Sequence, residues 1–192
     1  MEVRVGGQKA QAGQATDKPT FPTLADFDWR FNPKLPRAAC FELNTLKFIA
    51  DGANALIIGK PGTGKSHIAK AVAYQATLQG HDVRYVEADD EFARYGLSSQ
   101  IERARILRSY TEPALLVLDD LFLARSISEA AAELLQTVVH QRYKLRRSLV
   151  ITSNRVVQDW GNTSATRPWG PPSSTGSCIG PSCSSSKARA TA

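Results

Sequence analysis

The sequence predicts an α/β fold of three layers around a parallel sheet, and three observations carry that prediction. Four short, continuously apolar runs recur along the chain: Ala55–Ile58, Val83–Val86, Leu115–Leu118 and Leu149–Thr152. Segments with helical spacing separate them. The first run leads straight into a glycine-rich turn that opens a helix. Runs this short, without polar alternation, suit strands buried on both faces. Strand–helix alternation then implies parallel strands joined by right-handed crossovers.

Composition is compatible with a packed core. The chain has 192 residues, 42% apolar and 22% charged, which are globular values for one domain with tails. No window has the apolar length that spans a bilayer, and the first 20 residues lack the apolar centre of a secretory signal. Of Cys40, Cys178 and Cys183, only Cys40 lies in sequence that reads as folded. That is no disulfide framework, and it points to a reducing cytoplasm. The net charge of +6 suits loose contact with phosphate polyanions; a solvated basic surface explains it equally well.

Residues 1–19 are small, polar and aperiodic, and are expected to be disordered. A core is expected over residues 20–161. It opens with an aromatic segment, Phe21, Phe27, Trp29 and Phe31, closed by Pro33 and Pro36. Leu43–Ala50 reads as a helix ended by Asp51-Gly52, as glycine ends helices. Ser66–Leu78 sets Ile68, Val72, Ala76 and Leu78 on one broad helical face. Ser99–Glu102 and Ser126–Glu129 both match the capping box, in which a hydroxyl and a glutamate satisfy free amides at a helix start. After the second box, Ala131, Leu134, Leu135 and Val138 form an apolar stripe. From Asn162 onward the chain holds eight serines, four prolines and three glycines with no Asp, Glu, Leu, Val or Phe. Such a segment is expected to contribute no core and to be disordered.

Three sites carry chemistry. Gly59-Lys60-Pro61-Gly62-Thr63-Gly64-Lys65-Ser66 fits G-x-x-x-x-G-K-[ST], with a strand before it and a helix starting near Lys65 after it, and His67 completes the candidate nucleotide-binding residues. The glycines let backbone amides approach phosphate oxygens. The helix start adds free N–H groups and the positive end of its dipole. Lys65 is expected to reach the β- and γ-phosphates of a nucleotide and Ser66 to ligate Mg²⁺. Leu115–Leu118 ends in Asp119 and Asp120, at the carboxyl edge of the sheet where ligands bind. Asp119 is the candidate Mg²⁺ carboxylate, and Asp120 the candidate for polarising an attacking water. Leu149–Thr152 ends in Ser153-Asn154, whose amide can hydrogen-bond that water or the γ-phosphate.

Together these motifs resemble the AAA+ class of P-loop ATPases. Phe21-Pro22, Phe27-Asp28-Trp29, Leu35-Pro36 and Phe48-Ile49, with the phosphate loop and Ser153-Asn154-Arg155, are similar to one branch of it. That branch is IstB, the helper ATPase of IS21-type insertion sequences, a relative of the DnaC helicase loaders. The resemblance runs from Phe21 to Gly161. It implies an ATPase that oligomerises on DNA and assists a transposase, with Asp119 and Asp120 as Walker B, Asn154 as sensor 1, and Phe27 to Trp29 near the adenine. It also implies strand order 5-1-4-3-2. Arg103, Arg105 and Arg108 on one helix, and Arg142, Lys144, Arg146 and Arg147 near the end of another, are candidate DNA contacts; cations at a helix C-terminus also complement its dipole. A DnaC-like helicase loader and a small-molecule or nucleotide kinase share the phosphate loop. The two acids with Asn154 suit attack by water better than transfer to a bound acceptor.

Two departures from the family stand out. The helical N-terminal domain is replaced by about 20 polar residues, and the resemblance ends at Trp160-Gly161. The family pattern continues with another strand, a helix and an arginine directed to a neighbouring subunit's γ-phosphate. The expectation is a core without its last strand, an exposed edge on the strand that bears the phosphate loop, and weak turnover. A single-nucleotide slip would account for the tail. Back-translated codons of Asn162 to Trp169, read one nucleotide earlier, permit Lys-Tyr-Leu-Gly-Asp-Ala-Thr-Met, which resembles the family's continuation. Sequencing the gene tests this: the shifted frame should stay open through codon 180, and a stop codon within it excludes the slip.

Overall fold

The computed structural model describes residues 22–121, 128–156, 160 and 176–179. The elements run α1 (Arg37–Asn44), α2 (Lys47–Ala50), β1 (Asn54–Ile58), α3 (Lys65–Leu78), β2 (Val83–Glu87), α4 (Ala88–Leu97), α5 (Gln100–Thr111), β3 (Leu115–Leu121), α6 (Glu129–Lys144), β4 (Ser148–Ser153) and β5 (Gly176–Ile179). All recorded strand pairs are parallel, in the order β2-β3-β4-β1-β5. This is the implied order.

The apolar runs of β3 and β4 are buried on both faces and those of β1 and β2 partly so, and period two divides them between two cores. Ala55, Ile57, Leu115, Val117 and Val150 pack against Ile68, Ala69, Val72 and Ala76 of α3 and Cys40 and Leu43 of α1. The intervening Leu116, Leu118, Leu149 and Ile151 pack on the opposite face, against Phe92 of α4 and Leu134, Leu135 and Val138 of α6, with Trp160. Each such side chain contributes roughly 1.5–3 kcal/mol when fully buried. In a sheet sandwiched in this way, the carboxyl ends of the strands form a rim where strands hand over to loops and ligands bind.

Several expectations need correction. The helix expected over Leu43–Ala50 is two helices broken at Leu46, whose φ is 63°. Leu46 is 4% exposed, so the break turns its side chain into the core at the expense of helical continuity. The expected stop at Asp51-Gly52 holds: Gly52 has φ 63°, and an added Cβ there would meet the Arg146 carbonyl at 2.8 Å. The box at Ser99–Glu102 is present in both directions. At α6, however, Ser128 is the cap, accepting from the Ala131 amide; Ser126 lies outside the described residues. Glu129 is thus the first helical residue, placed to complement the dipole. Helix α4 was not foreseen. It is short, buries only Ala88 and Phe92, and is stabilised by Asp89, Asp90 and Glu91 in its first turn.

The largest correction concerns the sheet edge. Gly176–Ile179 pairs with β1 in parallel, with Asn54 opposite Gly176 and Ile57 opposite Ile179. The edge expected to lie open is covered, and the missing strand position is filled from the serine-rich tail. Strand pairing draws on main-chain N–H and C=O groups, which serine and glycine carry as leucine does. The other residues of 1–19 and 162–192 lie outside the described residues.

Arg142 is also not the surface cation expected. It is 1% exposed, and donates to the carbonyls of Tyr110 (2.7 Å), Pro113 (3.0 Å), Ala114 (3.1 Å) and Ser148 (2.5 Å). Burial pushes its guanidinium down to about 10. The fork joins the end of α5, the start of β3 and the start of β4, a geometry lysine cannot reproduce. Arg147 donates to the Thr111 carbonyl, and Arg103 to the Gly96 carbonyl while lying over the Tyr95 ring. Arg108 pairs with Glu112 at 3.1 Å. Arg142→Ala should lower unfolding free energy by at least about 3 kcal/mol, because several buried carbonyls lose their donor. Urea denaturation checks it; an unchanged midpoint would show that the clamp is not structural.

Candidate nucleotide-binding site

The carboxyl ends of β1, β3 and β4 meet at one cavity of about 580 Å³. Its lining includes Phe27, Asp28 and Phe31 from the aromatic segment, Pro61 to His67 from the phosphate loop, and Asp120 and Asn154. Most of the expected site residues therefore share one crevice. Gly59 and Lys60 are not in its lining: the Gly59 amide donates to the Ser153 carbonyl at 3.2 Å, and the Lys60 carbonyl accepts from Thr63 Oγ1 at 2.8 Å.

The loop conformation follows from its glycines. Gly62 and Gly64 have φ of 72° and 93°, in the left-handed region that side chains resist. Gly64 is constrained twice, since a Cβ there would stand 2.9 Å from the Phe27 ring. That ring makes edge contacts with Trp29 (4.8 Å between centroids) and His67 (4.9 Å). His67 Nε2 lies 3.2 Å from the Thr23 carbonyl, and Asn32 Nδ2 donates to the Thr63 carbonyl at 3.3 Å. The aromatic segment is thus a strap fastened across the phosphate loop and the first turn of α3.

Lys65 opens α3 and is 5% exposed. Its ammonium donates to the Lys60 carbonyl (3.1 Å) and to Asn154 Oδ1 (2.5 Å). Burial lowers its pKa, and the nearby charges of Asp120 and Asp119 oppose that shift. Asp120 is shifted upward, first by burial and then by the adjacent Asp119 charge, with Lys65 opposing. The two acids differ in placement. Asp119 is 2% exposed and lies beneath the cavity rather than in its lining. Its Oδ2 accepts from the Tyr85 hydroxyl and its Oδ1 from Thr152 Oγ1 at 2.5 Å. Asp120 has φ 53°, a backbone aspartate tolerates better than most residues. There the β3–β4 register shifts, which releases Asp120 from strict alternation and brings it to the cavity. Tyr85 and Thr152 were not singled out in the sequence; hydroxyls inside apolar strands read as ordinary strand formers.

A magnesium ion takes hard oxygen ligands and is commonly held by one or two carboxylates plus substrate phosphates and water. The Ser66 hydroxyl and the Asp119 and Asp120 carboxylates are donors of that kind. Among the described residues no group of three or more His, Cys, Asp or Glu could hold a metal by itself. The residues fit an ion that arrives with phosphates, not an all-protein cage.

A phosphate loop at a strand-to-helix turn, facing two acids and an amide on neighbouring parallel strands, defines a P-loop nucleotide-binding protein of the AAA+ kind. The pattern of the IstB-like ATP binding protein family matches residues 4–166, and the chain belongs to that family. It is 32% identical over 139 residues to an insertion-sequence ATP-binding protein of Mycobacterium tuberculosis, covering 72% of this chain and 55% of that one. It is 32% identical over 145 residues to the IS21 ATP-binding protein of Pseudomonas aeruginosa, covering 74% and 54%. The chain thus spans about half the length of these relatives. Among solved structures, the replication initiator DnaA bound to AMPPCP and single-stranded DNA is similar with TM-score 0.59 and 26% identity, covering 72% of this chain and 43% of that one. DnaI is similar in fold, with TM-score 0.62 and 19% identity over 74% and 77% of the two chains.

Gly64→Ala should cost about 1–2 kcal/mol for the left-handed backbone alone, with the Phe27 contact adding to it. A denaturant midpoint equal to that of the native protein would contradict the strap-on-loop packing.

Proposed function

We propose that this chain binds ATP with Mg²⁺ in the crevice and serves as the ATP-binding part of a helper protein in DNA transposition. The observation that carries the reading is convergence: Lys65, Ser66, Asp120 and Asn154 line one cavity with the loop glycines. The amides of Gly62 to Ser66 and the α3 dipole would hold the β- and γ-phosphates. Lys65 would exchange Asn154 and the Lys60 carbonyl for phosphate oxygens. Phe27, Asp28 and Phe31 would flank the base. Ser66 and Asp119 would hold the ion, which when bound neutralises charge on the phosphates. Asp120, which lines the cavity, would orient the attacking water, and Asn154 would hydrogen-bond that water or the γ-phosphate.

Support for ATP comes from the family and from the AMPPCP named for the DnaA structure. Support for transposition comes from the relatives, which are insertion-sequence proteins. The proposed partners are DNA, the transposase of the same insertion sequence, and further copies of the chain. DNA contact would fall to the exposed cations Arg105, Lys144 and Arg146, since Arg142 is committed to the fold. No helix among the described residues is long and apolar enough to cross a membrane, and the cytoplasm is the proposed location. Turnover is proposed to be weak, because the family match ends at residue 166, ahead of the subunit-bridging arginine that the resemblance implies.

Calorimetric titration with ATP and Mg²⁺ tests the reading. The native protein should bind, and Lys65→Ala should bind about 10- to 100-fold more weakly, the value of one or two charge-assisted hydrogen bonds. Equal affinities would remove the crevice from consideration. ATP hydrolysis with duplex DNA at the rate of a full-length relative would refute weak turnover.

A further inference from the structure

We infer that Thr152 is a positioning residue that ties the two acids of β3 to the strand bearing Asn154, with Tyr85 as its counterpart on the opposite strand. The inference rests on the proposed Mg²⁺–nucleotide reading of the crevice and deepens it.

Asp119 sits on β3, between β2 and β4. Each neighbour supplies one hydroxyl to its carboxylate, Tyr85 from β2 to Oδ2 and Thr152 from β4 to Oδ1. The supply is a consequence of alternation. Leu115, Val117, Val150 and Tyr85 belong to the α3 side of the sheet, and Asp119 and Thr152 continue the same phase along their strands. The carboxylate is thereby held on the side where Lys65 and Ser66 begin α3, by donors that fix its orientation from both flanks.

Thr152 does more than Tyr85. Its oxygen also accepts from the Asp120 amide at 2.8 Å. One hydroxyl therefore accepts a hydrogen bond from the backbone of one acid and donates one to the side chain of the other. That bond holds Asp120 where the backbone has φ 53° and the register slips, a conformation that persists only when its surroundings impose it. Thr152 is completely buried and stands two residues before Asn154, which holds the Lys65 ammonium. A shift of the end of β4, as Asn154 trades Lys65 for a ligand, would be passed through one hydroxyl to both acids.

Partners that orient a ligating carboxylate typically change metal affinity by about 10- to 100-fold when removed. The test is the affinity for a fluorescent ATP analogue in Mg²⁺ divided by its affinity in EDTA. Thr152→Val replaces the hydroxyl by a methyl group of nearly equal size. It should reduce that ratio about 10-fold or more while leaving affinity in EDTA within about 2-fold, and Thr152→Ser should restore the ratio. Tyr85→Phe, which strips the donor from the other flank and keeps the ring, should lower the ratio as well. Should Thr152→Val fail to fold, Tyr85→Phe and Thr152→Ser still decide the matter. A native ratio in Thr152→Val or Tyr85→Phe overturns the inference, as does equal loss in Mg²⁺ and EDTA, which would mark a scaffold role. Native protein that binds nucleotide with no response to Mg²⁺ would instead sink the reading on which the inference rests.

Discussion

The ammonium of Lys65 is the pivot of the molecule. Nearly withdrawn from water, it donates to the Lys60 carbonyl and the Asn154 amide oxygen, which offsets the loss of its hydration. Those two bonds join the turn after β1 to the end of β4, which are neighbouring strands in the sheet. Everything chemical in the crevice is arranged around that link. The acids of β3 set the electrostatics from one side, the glycine turn supplies amides from another, and the aromatic strap closes over the top.

Two-sided burial of the sheet explains why the acids behave differently. In β3 the polar side chains come at the carboxyl end, and alternation along a strand sends successive ones to opposite faces. Asp119 obeys that rule and is taken up by hydroxyls on the α3 side. Asp120 would point to the α4–α6 side and be lost to the crevice. The left-handed backbone and register shift at Asp120 resolve the conflict, and the Thr152 hydroxyl holds the result in place. The two adjacent acids gather at one end of the sheet because the register shifts there, with Asp120 lining the cavity and Asp119 buried beneath it.

Much of this was legible in the sequence because the chemistry demands fixed residue types at fixed spacing. The phosphate loop, Asp119-Asp120 at the end of one apolar run and Asn154 at the end of another are signals of that kind, as is the strand order that the resemblance implied. What escaped notice has physical reasons. Thr152 and Tyr85 act through hydroxyls in strands where such residues are common for packing reasons alone. Arg142 sits near a helix end, where a cation has a ready explanation in the dipole, so its burial beneath four carbonyls could not be read locally. Helix α4 buries too few apolar residues to show a stripe. Strand β5 pairs through main-chain groups, which composition does not report.

A crystal structure with a non-hydrolysable ATP analogue and Mg²⁺ is the most direct measurement of the central claim. It should place the terminal phosphates on the Gly62 to Ser66 amides, with the Lys65 ammonium moved from Asn154 onto phosphate oxygens and the ion between Ser66 and Asp119. Nucleotide bound elsewhere on the chain, or Lys65 still seated on Asn154 with the phosphates present, would contradict the account.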